Sequence, residues 1–142
     1  MDAEAVDAVG AKPDAAGRVE LVTPAGREWR PVIRLVLGGV ANQLDMRLEE
    51  LDDLQLAVER LLLEAGTDDA SRVSVEVTPG GVRTIVGPLR ESLIAEALRG
   101  PAPAAGELSL RRVLETVVDS YGVEVAADGR LDVRLDKLVR RG

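Results

Sequence analysis

Apolar and polar residues alternate along several stretches of the chain, as in strands that bury one face. The alternation predicts a strand over residues 18–23, which a Pro-Ala-Gly sequence ends. It also predicts two β-hairpins, because in each a turn sequence separates two alternating runs. The first hairpin joins residues 72–78 to 82–86 through Pro79-Gly80-Gly81, with Gly87-Pro88 expected to break its second strand; the other joins residues 123–125 to 131–135 through Asp128-Gly129.

Between the strands, apolar residues recur every three or four positions, which predicts helices with one buried face. Asp45 is the expected N-cap of the second helix. Gly38 and Gly39 fall in the middle of the first helix, where each costs about 1 kcal/mol relative to alanine, so a close contact with another element is expected there. The helices are predicted from residue 29 or 31 to about 44, and over 45–65, 89–99 and 108–121, with a low-complexity loop over 100–106.

The order of these elements is strand, helix, helix, hairpin, helix, helix, hairpin. It predicts an α+β fold: a two-layer α/β sandwich whose sheet is mixed but mostly antiparallel, with the helices on one face. Residues 1–17 are rich in Ala, Asp and Gly and show no sustained apolar period. We therefore assign them to a disordered N-terminal tail and residues 18–139 to a single domain.

Composition narrows the range of functions. The 142-residue chain contains no Cys and no His, which excludes thiol nucleophiles, disulfides, zinc-cysteine clusters and histidine general bases. Trp29 and Tyr121 are its only aromatic residues and its net charge is −7, which argues against nucleic acid as a partner. No apolar run approaches the roughly 20 residues of a membrane-spanning helix, and the acidic start lacks the features of a signal peptide. A cytoplasmic protein without a membrane partner is predicted.

Two segments carry a resemblance to a known family. Residues 32–45, VIRLVLGGVANQLD, followed by residues 51–58, LDDLQLAV, resemble the first two helices of the anti-sigma-factor serine kinases, which belong to the GHKL (Bergerat-fold) ATPases. The resemblance runs through most of residues 18–138. It implies a histidine-kinase-like ATPase fold, ATP and Mg²⁺ as cofactors, a sigma factor or an antagonist protein as partner, and pairing of two copies through the sheet.

The positions at which that family does its chemistry differ in this chain. Where the resemblance implies a Glu that activates the reacting hydroxyl and, four residues on, an Asn that holds Mg²⁺, the sequence has Arg60 and Glu64. Arginine cannot act as a base near neutral pH. The family's Asp-x-Gly adenine motif is replaced by residues 87–90, GPLR, and its Gly-x-Gly phosphate motif by residues 107–110, ELSL. We therefore expect no catalytic residues, no bound cofactor and no metal site.

One functional position does match the family. Its members carry an Arg early in the first helix that contacts the sigma factor and the antagonist protein, and the resemblance places Arg34 there. Arg30 lies one turn earlier on the same side of the helix and is the second candidate for partner binding. An ordinary solvated arginine explains Arg34 equally well.

The expected function is a non-catalytic, protein-binding regulator of transcription that resembles an anti-sigma factor. It would sequester a sigma factor or engage an antagonist domain. Two alternatives remain open. One is a diverged ATP-binding serine/threonine kinase in which Glu59 or Glu64 replaces the missing groups, and the other is a structural dimerisation module, since a homodimer is also implied by the resemblance.

Overall fold

The computed structural model describes residues 10–13, 17–24, 26–65, 70–99, 109–126 and 128–140. These residues form an α+β fold with six strands and four α-helices, and a short 3-10 helix precedes the first α-helix. No helix in the described ranges is long and apolar enough to cross a membrane. The strands are β1 (Gly10–Pro13), β2 (Arg18–Thr23), β3 (Ser71–Thr78), β4 (Gly81–Arg90), β5 (Ser120–Val125) and β6 (Arg130–Leu138), and the helices are α1 (Arg30–Gln43), α2 (Leu48–Ala65), α3 (Glu91–Arg99) and α4 (Leu110–Val117).

The strands form one sheet in the order β1-β2-β3-β4-β6-β5. Every pairing among the described strands is antiparallel, so the prediction of a mixed sheet is wrong. Two helices, α1 and α2, connect β2 to β3, and β3 begins at the end of the sheet where β2 ends. Thr23, the last residue of β2, therefore pairs with Ser71, the first residue of β3.

The two faces of the sheet differ in character. On one face, buried strand residues pack with the helices in a single aliphatic core, and on the other face polar and charged side chains predominate. The described residues therefore form the expected two-layer sandwich with its helices on one side. The buried strand residues of the core are Leu21, Val73, Val75, Val82, Val86, Leu89, Leu131, Val133 and Leu135, and its fully buried helix residues include Leu54, Val58, Leu61, Ile94 and Leu114.

Ion pairs link neighbouring strands across the helix-free face. Asp136, near the end of β6, lies between two arginines, 2.9 Å from Nε of Arg83 and 3.0 Å from Nε of Arg134. The Arg134 guanidinium lies across β5 above Gly122, where a Cβ atom would be 2.6 Å from its Nη2 atom. Glycine at position 122 thus allows the long side chain to lie flat and reach the edge of the sheet.

The first strand was not predicted. Gly10–Pro13 falls within the segment assigned to a disordered tail, but it pairs with β2 from Gly10↔Val22 to Pro13↔Val19. An edge strand can be held by main-chain hydrogen bonds alone, and these leave no apolar period in the sequence. Residues 1–9 and 14–16 of the predicted tail lie outside the described residues. Lys12 and Pro13 are residue types that discourage further pairing at an edge.

The start of the second helix also differs from expectation. Asp45 has a φ of 55°, whereas an N-cap residue is normally extended, so Asp45 is not the cap. The chain instead turns through Asp45, and α2 begins at Leu48. Glu50 Oε1 accepts a hydrogen bond from the main-chain N–H of Arg47 at 2.8 Å, as the acidic residue of a capping box does.

Several other boundaries also differ from the predictions. β4 continues through Gly87-Pro88 to Arg90, because its pairing with β6 shifts register between Val86 and Leu89 and resumes beyond the proline. The third helix begins two residues later than predicted, at Glu91. The fourth begins after Ser109, whose Oγ accepts a hydrogen bond from the N–H of Arg112, and ends at Val117, so Tyr121 belongs to β5. The predicted loop over residues 100–106 lies outside the described residues.

Candidate protein-binding site

Arg34 lies on the side of α1 that faces α2. Its guanidinium makes a two-point ion pair with Glu59 of α2, in which Nη2 donates to Oε1 at 2.9 Å and Nε donates to Oε2. Gln55 Nε2 also donates to the main-chain oxygen of Arg34 at 3.3 Å. The hydrogen bond to Glu59 and the charge of that carboxylate raise the pKa of Arg34. The arginine is thus exposed, charged and held in one orientation.

The two helices that this ion pair joins also carry exposed leucines. Leu35 follows Arg34 in α1 and is 77% exposed, while Leu56 and Leu63 in α2 are 45% and 50% exposed. Residues 56, 59 and 63 are three and four positions apart, so Glu59 shares one helix face with both of these leucines. We define the α1–α2 surface as Arg34, Leu35, Leu56, Glu59 and Leu63.

The other predicted contact residue lies at the beginning of the same helix. Arg30 is the first residue of α1, half-buried, one turn before Arg34. One turn after Arg34 come Gly38 and Gly39, where a Cβ atom would meet no described atom within 4 Å. The expected close contact at these glycines is therefore wrong, and both have room for a side chain.

Arg60 and Glu64, which stand where the resemblance implies a catalytic Glu and an Mg²⁺-binding Asn, form an ion pair. Arg60 Nη2 is 3.2 Å from Glu64 Oε2, one helical turn away. Glu59 and Glu64, the two carboxylates that could have replaced the missing groups, each face a guanidinium. Lone pairs engaged in this way are less available to a metal ion. Across the described ranges no group of three or more His, Cys, Asp or Glu side chains is placed to hold a metal ion.

Residues 87–90 and 107–110, which replace the two glycine motifs that the resemblance implies, have structural contacts at the described positions. Gly87 packs beneath Asp132 of β6, whose carboxylate occupies the space that a Cβ atom at residue 87 would need. Ser109 caps α4 and Leu110 is buried, while residues 107 and 108 lie outside the described residues. Burial raises the pKa of Asp132, an effect increased by Glu124 and opposed by Arg72.

A second polar cluster joins the beginning of α2 to the end of β6 around a cavity of about 300 Å³. Lys137 Nζ donates to Asp53 Oδ2 at 3.2 Å and to the main-chain oxygen of Val117 at 2.8 Å. Asp119 Oδ2 accepts from the N–H of Leu138 at 2.7 Å. These bonds hold the beginning of α2, the end of α4 and the end of β6 together.

Sequence reasoning missed the leucines and the partner of Arg34. A signal for the leucines existed, since Leu35, Leu56 and Leu63 all lie off the apolar stripes of their helices. No signal could have paired Arg34 with Glu59, because they are 25 positions apart and meet only when α1 packs on α2.

No protein-family model matches the chain, and a search of curated proteins finds no match.

Proposed function

We propose that this protein is a non-catalytic, protein-binding regulator that resembles an anti-sigma factor and binds its partner through the α1–α2 surface. One observation carries the proposal: Leu35, Leu56 and Leu63 are exposed on the two helices that the Arg34–Glu59 ion pair joins. Large apolar side chains grouped on a surface become stabilising when a partner covers them, and a charged group already held in place loses little entropy on binding.

The Arg60–Glu64 ion pair supports the non-catalytic part of the proposal. A base and a metal ligand at these positions would need a free carboxylate or amide oxygen. The pair instead has a cation at the first position and a carboxylate engaged by that cation at the second. The fold we propose is the histidine-kinase-like ATPase fold. It is supported by the order of the elements over residues 18–138 and by the position of Arg34 early in α1.

The partner we propose is a cytoplasmic protein, either a sigma factor or an antagonist domain of the same regulatory system. Affinity purification from native cells with mass spectrometry compares wild type with Arg34→Glu and Leu35→Ser. Both variants are expected to lose the partner that wild type retains, because one reverses the central charge and the other removes apolar contact area.

Arg111→Glu is the matched control. Arg111 is also exposed on a helix and paired with a glutamate, Glu115, four residues on, so its reversal changes charge equally without touching the α1–α2 surface. Retention of the partner by Arg34→Glu and Leu35→Ser, or its loss from Arg111→Glu as well, contradicts the assignment of the surface.

Calorimetric titration with Mg-ATP tests the non-catalytic part separately. No binding heat is expected. Micromolar affinity, or phosphate transfer from labelled ATP to an antagonist protein, contradicts this part and favours the diverged kinase.

A further inference from the structure

The edge strand β5 presents main-chain groups that no described strand uses. Within the described part of the chain, β5 pairs with β6 only. The N–H of Ala126 donates to the main-chain oxygen of Arg130 at 2.9 Å, and in an antiparallel pair the direction of these bonds alternates along each strand. Residues 120, 122 and 124 therefore direct their main-chain groups towards β6, and Tyr121, Val123 and Val125 direct theirs outward.

The side chains of these three outward residues form an apolar stripe on the face of the sheet that the helices cover. They pair with Leu135, Val133 and Leu131 of the core, but Val123 is still 44% exposed and Val125 88% exposed. Sheet edges in monomeric proteins are usually blocked by prolines, bulges or charged side chains. The β1 edge carries Lys12 and Pro13, whereas no proline or charge stands at the outward positions of β5.

The other face of β5 carries two opposite charges in a defined order. The Arg134 guanidinium lies over Gly122, where a Cβ atom would be 2.6 Å from its Nη2 atom. Its Nε donates to Asp136, which leaves the Nη donors for another acceptor. Glu124 is 55% exposed and lies 3.9 Å from Arg134 Nη1, too far for a hydrogen bond. The edge therefore offers a cation at residue 122 and an anion at residue 124.

We propose that the β5 edge binds an extended segment of another protein, which adds to the sheet as a further antiparallel strand. The segment has apolar side chains at alternate positions, a basic residue opposite Glu124 and an acidic residue opposite Gly122. Its main chain exchanges hydrogen bonds with the three outward residues of β5, which supplies affinity without regard to sequence. Its apolar side chains cover Val123 and Val125, and its charges supply specificity.

Charge complementarity fixes the register of the added strand. When the outward residues form the hydrogen-bonded pairs, Gly122 and Glu124 lie in the other kind of pair, whose Cα atoms are only about 4.5 Å apart. An acidic side chain opposite Gly122 then reaches the Nη donors of Arg134, and a basic one opposite Glu124 reaches its carboxylate. A slip of two residues in either direction brings like charges together, which destabilises the pairing. From its N-terminus the segment therefore reads apolar, basic, apolar, acidic, apolar.

This second interaction surface goes beyond the proposed regulatory function and is separate from it. Helices α1 and α2 pack over β3 and β4, in the interior of the sheet and away from β5. The α1–α2 surface therefore stays available when a strand adds to β5, and the two ideas can fail separately.

Amide hydrogen exchange followed by NMR tests the site directly. The probe is a synthetic peptide, Ser-Val-Lys-Val-Glu-Val-Ser, with blocked ends. At saturating peptide the outward N–H groups of Tyr121, Val123 and Val125 gain acceptors, so we expect them to exchange at least about tenfold more slowly. Unchanged exchange at these three groups overturns the proposal. So does slowing that appears without peptide and grows with protein concentration, because a second copy of the chain then occupies the edge.

Fluorescence anisotropy of the labelled peptide tests the charge pattern. Glu124→Lys should weaken binding about tenfold, and a peptide with glutamate in place of its lysine should restore it. The restoration separates lost charge from lost folding. Glu49→Lys, the same change at an exposed position on α2, should alter the affinity by less than about twofold. Equal binding by wild type and Glu124→Lys, failed restoration, or an equal loss in Glu49→Lys overturns the proposal.

Val123→Pro tests the main-chain contribution. Proline at residue 123 removes an outward N–H and no hydrogen bond to β6, a position that an edge strand tolerates. We expect this variant to keep the circular dichroism spectrum of wild type and to bind the peptide about tenfold more weakly. Val123→Ala keeps the N–H and serves as the control for the lost side chain. Wild-type affinity in Val123→Pro, or an equal loss in Val123→Ala, contradicts pairing through the main chain.

Discussion

Glu50, in the first turn of α2, accepts a hydrogen bond at 2.9 Å from the main-chain N–H of Arg140, ninety positions further along the chain. Its other carboxylate oxygen accepts from Arg47 at 2.8 Å, and the side chain is buried. One carboxylate thus caps a helix and fixes the segment that follows β6. Removing this carboxylate should therefore affect both the start of α2 and the end of the described chain.

The stability of the protein should fall in acid through Glu50. Burial raises the pKa of this carboxyl, but the hydrogen bonds from Arg140 and Arg47 outweigh it, so the pKa lies below its usual value. The stabilisation is therefore complete above the unfolded-state pKa of about 4.3 and is lost as the pH falls through the lower folded-state pKa. Urea unfolding followed by Trp29 fluorescence measures this.

At neutral pH, Glu50→Gln should lower the free energy of unfolding by about 1–2 kcal/mol, because a buried charge-assisted acceptor is lost. It should also flatten the loss of stability below pH 5. Glu49→Gln, an exposed change in the same helical turn, is expected to shift stability by less than about 0.5 kcal/mol. Equal effects of the two changes would show that Glu50 acts only through charge at the helix end.

Thr84→Val should stabilise the protein. Thr84 is fully buried in β4, and its hydroxyl has no hydrogen-bond partner among the described residues. Removing the orphaned hydroxyl while keeping the shape should raise the free energy of unfolding by about 1 kcal/mol. Thr23→Val is the matched control, since Thr23 is equally buried but its Oγ1 donates to Pro24 O at 3.0 Å. Denaturant unfolding should show a higher free energy of unfolding for Thr84→Val and a lower one for Thr23→Val. A loss of stability in both variants would contradict the conclusion that the Thr84 hydroxyl is unpaired.

Gly38→Ala and Gly39→Ala should each raise the free energy of unfolding by about 0.5–1 kcal/mol, because alanine favours the helix and finds open space at both positions. Gly81→Ala should do the reverse. At residue 81 a Cβ atom would collide with the main-chain oxygen of Lys137 in β6. Thermal unfolding ranks the three variants, and destabilisation by Gly39→Ala would mean that something packs against α1 there.

Tyr121, the single tyrosine, should ionise above the usual pKa of about 10. Burial raises its pKa, and so does the charge of Glu115, while Arg111 lowers it. Since the folded-state pKa is raised, the associated stabilisation is complete below the unfolded value and is lost as the pH rises through the folded one. Ultraviolet absorbance titration should show Glu115→Gln moving the pKa down and Arg111→Gln moving it up. An unchanged Tyr121 pKa in both variants would contradict the placement of Glu115 and Arg111 close to the ring.

The sequence allowed most elements to be predicted, because their patterns are local. The hairpin through Pro79-Gly80 and the apolar stripe of α1 follow from residues a few positions apart. What could not be predicted depends on contacts across the fold. The antiparallel return of β3, the pairing of β1 by its main chain, and the partners of Arg34 and Glu50 appear only when separate elements meet. Only part of the candidate surface could therefore be predicted from the sequence: Arg34 was identified, but its carboxylate partner Glu59 was not.

The residues at one edge of the sheet limit where another strand could be added. The edge strand β1 carries Lys12 and Pro13. A proline lacks the N–H that another strand would require, and lysines repel one another across such a contact. The β1 edge should therefore resist strand addition from another molecule even at high concentration.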